Sequence, residues 1–265
     1  MEGIVSRLII YPVKSCAPVH LSSMVMDAFG PVWDRRFMVV DASGQFMTAR
    51  KYPRMLRIQP ALAPDGIWLQ APGMPDCFVP WAGAGDGASG TVNVWRDSLV
   101  ASEMGEAVAA WFSRYLEAPC RLVFASDPTR RQVDRQWFDG EHAVSFADGF
   151  PVLLVNQGSL ADLNARMAKP LEMARFRANI EVEGFNAFAE DGWKKVQVGG
   201  VTLQVCKPCS RCVLTTINPA TLERGVEPLQ SLAAYRRQEG GVMFGQNAVP
   251  LTGGMIVLGD KVVSC

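Results

Sequence analysis

Short apolar segments, separated by closely spaced turn residues, fill the first third of the chain. Val5–Ile10, Arg36–Val40 and Gly66–Gln70 have the length and apolar content of strands. The turn signals Phe29–Pro31 and Pro64–Gly66 lie between them. Strands at this spacing leave no room for the long crossover helices of a parallel sheet. The pattern therefore predicts a sandwich or barrel rather than βαβ units.

Helical patterns appear only later in the chain. Apolar spacing predicts a helix over Glu106–Leu116, and a Ser-x-x-Asp capping pattern predicts the start of a second helix at Ser159. A third helix is predicted over Pro228–Arg237, with the proline in its permitted first turn. We also predict a loop at 83–90 and strands at 91–95, 151–155, 179–183, 196–198, 201–206 and 255–263. The chain is thus expected to be mainly β with helices, in the α+β class.

Charge and histidine content exclude several classes of protein. The 265 residues include 26 Lys and Arg against 26 Asp and Glu, without the basic excess of a nucleic-acid binder or of a charge-anchored membrane protein. His20 and His142 are too few for a His-rich metal site or a metalloprotease helix. The N-terminal apolar stretch is too short for a signal peptide or spanning helix. We therefore expect a soluble cytoplasmic protein with no nucleic-acid or membrane partner.

Three of the seven cysteines fall in one C-x-x-C-x-x-C segment, Cys206–Cys212. An odd total in a chain of this length favours a reducing compartment over disulfide staples. The bacterial ferredoxin pattern requires a further cysteine where Thr216 stands. A tetrahedral zinc site requires a fourth ligand, for which Cys265 or a distant histidine is available. Neither motif is complete, and both kinds of site stay open as interpretations.

The last cysteine of the segment differs from the other two. Cys206 and Cys209 fit ordinary half-buried thiols on a strand and its turn, because free cysteine is commonly a small buried hydrophobe. Cys212 follows Arg211 and lies near Lys207, and neighbouring cations stabilise a thiolate. A thiolate is a soft metal ligand or a nucleophile. A single soft ligand suits a metal that an organic chelate already carries.

Further short segments complete an ordered pattern along nearly the whole chain. Those around and after the cysteines are Cys209–Cys212, Pro219, Glu227–Leu229, Tyr235–Arg236 and Phe244–Asn247. Those before them are Tyr11–Ser15, Asp34–Phe37, Thr48–Arg50, Ser145–Pro151 and Phe176–Ile180. The ordered set resembles the two-domain MOSC family, and is similar to the mitochondrial amidoxime-reducing components and their bacterial homologues. The resemblance implies an N-terminal MOSC β-barrel domain over residues 1–95 and a MOSC β-barrel domain with peripheral helices over 96–265.

The resemblance implies a pyranopterin molybdenum cofactor with one protein thiolate on the metal. Cys212 matches the last cysteine of the family's cluster, so it is the expected catalytic residue and metal ligand. The expected cofactor-binding residues are Lys14, Ser15, Arg36, Asp148, Gly149, Arg177, Asn179, Ser210, Arg211 and Asn247. Arginine offers a planar fork of donors to the cofactor's phosphate, and lysine a compact charge. Taken singly, each cation better fits a solvated surface residue, because basic side chains are usually exposed. Asp148–Gly149 equally fits an ordinary turn, and Asn247 also fits a turn residue.

The function implied by the resemblance is that of an oxidoreductase, a molybdenum-dependent reductase of small N-hydroxylated or N-oxide compounds acting by oxygen-atom transfer. No iron–sulfur cluster and no pyridoxal phosphate is expected in this chain. The sequence shows neither the ferredoxin domain that some bacterial relatives append nor the membrane anchor of the mitochondrial ones. We therefore expect a separate flavin or iron–sulfur reductase as electron donor. The alternative is a sulfur-carrier or molybdenum-cofactor-handling protein that uses a persulfide on Cys212.

Overall fold

The computed structural model describes residues 2–81, 89–126 and 131–264. Within them, the strands of the first half are Glu2–Ile10 (β1), Val19–Leu21 (β2), Ser23–Asp27 (β3), Gly30–Pro31 (β4), Phe37–Asp41 (β5), Gln59–Ala63 (β6), Gly66–Gln70 (β7), Cys77–Pro80 (β8), Ser89–Val94 (β9), Asp97–Glu103 (β10) and Cys120–Phe124 (β11). The strands of the second half are Arg131–Gln132 (β12), Ala143–Val144 (β13), Val152–Asn156 (β14), Ile180–Glu183 (β15), Lys195–Val198 (β16), Val201–Ser210 (β17), Arg237–Gln238 (β18), Gly241–Pro250 (β19), Gly254–Val257 (β20) and Lys261–Ser264 (β21).

Three α-helices lie within the described residues: Glu106–Leu116 (α1), Gln157–Ala165 (α2) and Leu229–Tyr235 (α3). Short 3₁₀ turns lie at Pro53–Arg57, Met173–Phe176, Ala189–Gly192 and Val213–Thr216. Helix α1 has the predicted bounds, because its apolar residues recur on one buried face. Of the helices in the described part of the chain, none is both long and apolar enough to cross a membrane.

The start of α2 differs from the prediction. The helix begins at Gln157, and the Asn156 side chain caps it by accepting a hydrogen bond from the Gly158 N–H at 3.0 Å. Ser159 lies inside the helix, where its buried hydroxyl donates to Glu190 at 2.7 Å. Asn156 is the last residue of the buried strand β14. The sequence did not predict its capping role, because no Glu or Gln stands three residues later to complete a capping box.

Seven strands form a closed barrel. Their order is β14, β15, β1, β21, β16, β17 and β19, and pairing of β19 with β14 closes the ring. The pair β14–β15 is parallel and the other pairs are antiparallel. Inward-facing apolar residues fill the barrel, among them Val5, Leu8, Ile10, Leu154, Ile180, Val182, Val196, Leu203 and Val262. The first strand of the chain is therefore a central strand of the barrel that the C-terminal half builds.

A second sheet carries the other large core. Its order is β5, β11, β10 and β9, and α1 packs against it. The core between them includes Phe37, Trp111, Phe112, Tyr115 and Leu122. Smaller sheets have the orders β6–β7–β8, β20–β3–β4 and β12–β13. These two cores account for most of the large buried side chains among the described residues.

The mainly β, α+β class with a barrel is confirmed. Of the predicted loop at 83–90, residues 83–88 lie outside the described residues, and Ser89 and Gly90 begin β9. The predicted strand at 201–206 extends to Ser210, so it carries two of the three clustered cysteines. The predicted domain boundary falls in the turn between β9 and β10, and it stays a prediction.

Gly245 tests the closure of the barrel. Its φ is +75°, and an added Cβ would lie 2.6 Å from Val155 Cγ1 and 3.0 Å from the Leu154 carbonyl oxygen of β14. Gly73 has the same φ of +75° in open space. We expect Gly245→Ala to lower the free energy of unfolding by about 2–5 kcal/mol, and Gly73→Ala by about 1–2 kcal/mol. Chemical unfolding of both variants measures this, and equal losses would contradict the account of the closing pair.

Candidate functional site

A cleft lies between segments that are distant in the sequence. Ten of the eleven predicted site residues line it, namely Lys14, Ser15, Asp148, Gly149, Arg177, Asn179, Ser210, Arg211, Cys212 and Asn247. The structure thus brings these residues together, and their roles in binding a cofactor stay predictions.

The cleft is strongly cationic. Asp148 is the one carboxylate among the described residues that line it. The six lining cations are Lys14, Arg35, Arg50, Arg175, Arg177 and Arg211. In a chain with equal numbers of basic and acidic residues, this is a marked local asymmetry. A concave surface with one sign of charge concentrates ligands of the opposite sign.

Lys14 and Asp148 form an ion pair at one wall. The Lys14 ammonium, which is 7% exposed, also donates to the Phe146 carbonyl oxygen at 2.7 Å. Burial lowers the pKa of Lys14, although the Asp148 carboxylate opposes that shift. Burial alone would raise the pKa of Asp148, but the Lys14 ammonium and the Trp95 indole N–H hold it well below its usual range. The Asp148 side chain is 73% exposed and faces the open cleft, so the pair presents its carboxylate to a ligand.

Arg35 is fixed by several partners before any ligand binds. Its Nη1 donates to both carboxylate oxygens of Asp34, at 2.8 and 2.6 Å, and its Nη2 donates to the Arg177 carbonyl oxygen at 3.2 Å. The Cζ atoms of Arg35 and Arg177 lie 4.3 and 4.0 Å from the centre of the Tyr11 ring. Burial raises the pKa of Tyr11 to about 12, against the opposing effect of the two guanidinium groups. The neutral ring therefore supports both cations by cation–π contact.

Three non-glycine residues of the cleft have left-handed backbone. The φ angles of Ser15, Arg35 and Arg177 are 71°, 48° and 57°. Arg177 directly follows the 3₁₀ turn Met173–Phe176, which precedes β15. Its Nη1 donates to the Cys16 carbonyl oxygen at 2.8 Å. Such backbone costs about 1–3 kcal/mol per residue and is concentrated at functional sites. Its recurrence around one cleft marks that cleft as the candidate site.

Asn179 acts mainly within the protein. Its side chain is buried, its Oδ1 accepts from the Leu153 N–H at 3.1 Å, and its Nδ2 donates to the Ile9 carbonyl oxygen at 3.2 Å. The same Oδ1 accepts from Arg35 at 3.2 Å. The residue therefore joins β1 to β14 and positions the Arg35 guanidinium at the cleft.

Cys212 lies exposed in the wall of the cleft. It directly precedes the 3₁₀ turn Val213–Thr216, and its carbonyl oxygen accepts from the Thr215 N–H at 3.1 Å and hydroxyl at 2.9 Å. These bonds fix the backbone that carries the thiol. Among the described residues, no group of three or more His, Cys, Asp or Glu side chains is arranged to hold a metal ion. Cys265, one candidate zinc ligand, lies outside them.

The other two cysteines have different surroundings. Cys206 does not line the cleft; it packs beside a small apolar cluster, and burial raises the pKa of its thiol to about 11. Cys209 does line the cleft, and the Arg211 Nη1 donates to its sulfur at 2.8 Å. The sequence placed Arg211 beside Cys212, but the guanidinium turns back along the strand to Cys209.

Three smaller residues complete the predicted set. The Ser210 hydroxyl donates to the Gly240 carbonyl oxygen at 2.9 Å, and the Asn247 Nδ2 lies 3.5 Å from the Pro208 carbonyl oxygen. Both contacts tie β17 to neighbouring backbone. Gly149 has open space where a Cβ would stand, so its backbone is accessible from the cleft.

Arg36 is the one predicted residue that the structure places elsewhere. Its Nε and Nη2 donate to the Ala125 carbonyl oxygen at 3.1 and 2.7 Å. Its Cζ lies 4.4 Å from the centre of the Phe29 ring. Side chains of consecutive residues entering a strand point to opposite sides, and the left-handed backbone at Arg35 adds to this divergence. Arg35 therefore faces the cleft in place of Arg36.

Sequence reasoning missed three cations of the cleft. Arg35 and Arg50 lie in segments that already resembled the family pattern, so a test of each neighbouring cation would have found them. Arg50 stacks on the exposed Trp95, with its Cζ 4.6 Å from the ring centre. Arg175 gave no signal, because it lies in a 3₁₀ turn and reaches the Thr215 carbonyl oxygen at 3.1 Å only in the folded chain.

The chemistry of these donors fits a phosphate-bearing ligand that carries a metal. Buried guanidinium groups with fixed orientation suit phosphate oxygens. The buried Arg211 Nε has no hydrogen-bond partner within the described structure, so a donor remains available at this wall. The exposed Cys212 thiol supplies one soft ligand in the same cleft. A pyranopterin molybdenum cofactor combines these two requirements.

Comparison with known proteins identifies the family. The model of the MOSC N-terminal beta barrel domain matches residues 2–119, and the model of the MOSC domain matches residues 141–263. Mitochondrial amidoxime-reducing component 1 of Xenopus laevis is 32% identical, over 98% of this chain and 81% of that protein. The human component 1 is 33% identical, over 98% of this chain and 82% of that protein. Component 2 of Rattus norvegicus is 33% identical, over 95% and 78%. The chain therefore belongs to the MOSC family, in its two-domain arrangement.

Proposed function

We propose that this chain binds the pyranopterin molybdenum cofactor in the cationic cleft and reduces N-hydroxylated or N-oxide compounds. The observation that carries the proposal is the convergence of six cationic side chains and the exposed Cys212 thiol on one cleft. The names of the relatives, amidoxime-reducing components, support the substrate class. We further propose a cytoplasmic location and a separate flavin or iron–sulfur reductase as electron donor.

Cys212 would be the protein ligand of the metal, and Lys14, Arg35 and Arg177 would hold the phosphate. The bound cofactor supplies two-electron oxygen-atom-transfer chemistry. The chain contributes preorganisation: Arg35 and Arg177 are held by Asp34, the Cys16 carbonyl and the Tyr11 ring without a ligand. Fixed donors lose little entropy on binding, which strengthens the hold on the cofactor.

The substrate's route is open. Cys212 is exposed, and the adjoining Val213 is 52% exposed, so a small molecule reaches the thiol side of the cleft from solvent. Asp148 exposes the one carboxylate among the described residues of the cleft to solvent. An ionised carboxylate only accepts hydrogen bonds, so Asp148 acts there as an acceptor.

Turnover with defined donors tests the proposed reaction. Protein loaded with cofactor should reduce an N-hydroxylated amidine when a reduced viologen supplies electrons. It should fail with NADH or NADPH alone, because we propose that the donor is a separate protein. Efficient turnover with NADH and the purified chain would refute the separate donor. Loaded protein that is inactive with every donor would favour the alternative, a sulfur-carrier or cofactor-handling protein with a persulfide on Cys212.

Cys212→Ala should abolish viologen-driven activity, because it removes the proposed metal ligand. Cys206→Ala is the matched control, since that thiol lies in the same segment but outside the cleft, and it should retain most activity. Cys209→Ala should also retain most activity, with some loss because Arg211 contacts this sulfur. Steady-state rates per folded protein measure the three effects. Equal and complete loss in all three would indicate a shared metal cluster instead.

Arg177→Gln should weaken the affinity for the cofactor about ten- to hundred-fold, because a charge-assisted hydrogen bond contributes about 1.5–3 kcal/mol. Cofactor occupancy should fall accordingly. Arg36→Gln is the control, because Arg36 is a buried arginine that lies outside the cleft, whereas the half-buried Arg177 lines it. It should reduce stability without changing occupancy per folded molecule. Molybdenum and pterin content, read beside thermal unfolding, separates the two effects. Equal occupancy in both variants would show that Arg177 is only a structural cation.

A further inference from the structure

A strip of positive charge, most of it without a carboxylate partner, borders the cleft. The segment Arg50–Arg57 contains four cations and no carboxylate. Its 3₁₀ turn buries Met55 and Leu56, and the flanking Arg54 and Arg57 lie at the surface. We call the exposed cations Lys51, Arg54, Arg57 and Arg224 the basic rim.

The basic rim is joined to the cleft by direct contacts. Arg224 donates to the carbonyl oxygen of Arg50, whose side chain lines the cleft. Arg57 donates to the Ala220 carbonyl oxygen, in the loop that follows the Cys212 turn. Segment 50–57 and loop 218–224 therefore form one continuous surface beside the proposed metal ligand.

Most of this charge has no carboxylate partner. Arg54 pairs with Glu117, but no ion pair found among the described residues includes Lys51, Arg57 or Arg224. Glu223 is the one acidic residue in loop 218–224. Because the whole chain has no net charge, the rim is a local excess.

Apolar side chains are exposed on the same side. Val213 and Val226 are 52% and 64% exposed, and they flank the loop that carries Arg224. An apolar centre beside a charged rim is the usual anatomy of a protein interface. Charges at such a rim steer the encounter and suppress partners with like charge.

We propose that the basic rim is the docking surface for an acidic one-electron carrier protein. The inference rests on the proposed function, because reduction of the substrate needs a donor. Two carrier molecules would each lose one electron; with two protons from solvent, these convert an N–OH group to N–H and release water. A protein carrier is favoured over a membrane or nucleic acid because the rim adjoins the cleft, and electron transfer requires the carrier to bind close to the proposed metal ligand.

The test uses loaded protein, a reduced acidic plant-type [2Fe–2S] ferredoxin as the probe, and an N-hydroxylated amidine. The triple variant Lys51→Glu, Arg57→Glu, Arg224→Glu should lower kcat/KM for ferredoxin at least about tenfold at low salt. It should also remove most of the salt dependence. Viologen-driven activity should persist, because a viologen is cationic and is not repelled by added carboxylates.

Lys195→Glu is the matched control for the charge change. Lys195 is exposed on β16, where it pairs with Gln204, and it does not line the cleft or belong to the basic rim. It should leave kcat/KM for ferredoxin within about twofold of wild type. If the triple variant does not fold, Lys51→Glu alone should lower kcat/KM about threefold, since Lys51 is exposed and no ion pair among the described residues includes it.

Several results would overturn the inference. One is unchanged kcat/KM for ferredoxin in the variants. Another is that the rim variants keep wild-type ferredoxin kinetics but lose a binding to phosphatidylserine vesicles that the wild-type protein shows. That result would assign the rim to a membrane. If loaded wild-type protein is inactive even with viologen, the proposed function has failed. Calorimetric binding of ferredoxin to wild type and to the rim variants then decides the docking question independently, and equal affinity would refute it.

Discussion

Repulsion between like charges is the constraint on which this cleft depends. Six cationic side chains line it with a single carboxylate among the described residues, and neighbouring cations repel one another. The fold offsets this with fixed partners: Asp34 holds Arg35, and the Tyr11 ring lies close to two guanidinium groups. These contacts use only part of each cation's donors. An anionic ligand is therefore stabilised by positive charges and hydrogen-bond donors that are already oriented before it binds.

The barrel makes that assembly possible. Strand β1 pairs with β15 and β21, so the segment that follows it, with Tyr11 and Lys14, is delivered to the ends of the C-terminal strands. Asn179 joins β1 to β14 at the same place. Strand β17 runs through Cys209 to Ser210 and brings the Cys212 turn to the opposite wall. Residues from both ends of the chain thus meet because the strands that precede them belong to one closed sheet.

Local pattern predicted what depends on local sequence. Strand spacing gave the β-rich class, and α1 followed from its apolar face. The closure of the barrel between β14 and β19 could not be predicted from the sequence. It consists of backbone hydrogen bonds between residues almost a hundred positions apart, such as Val152 and Ala248. The family resemblance predicted ten residues that line one cleft, but it predicted Arg36 where Arg35 lines the cleft. Consecutive side chains point to opposite sides, and the left-handed backbone of Arg35 adds to their divergence. The capping pattern at Ser159 predicted a helix start, but the Ser159 hydroxyl donates to the buried Glu190 inside the helix. This contact is between residues 31 positions apart and leaves no local signal.

The proposed function requires this cleft to hold molybdenum through a pterin and the Cys212 thiolate. The sharpest test is metal and pterin analysis of wild-type protein made in a host that synthesises the cofactor. We expect molybdenum and pterin in equal amounts, close to the molar amount of protein, and X-ray absorption should show one sulfur ligand fewer in Cys212→Ser. Zinc or iron without pterin, or a persulfide on Cys212 without molybdenum, would refute the proposed function.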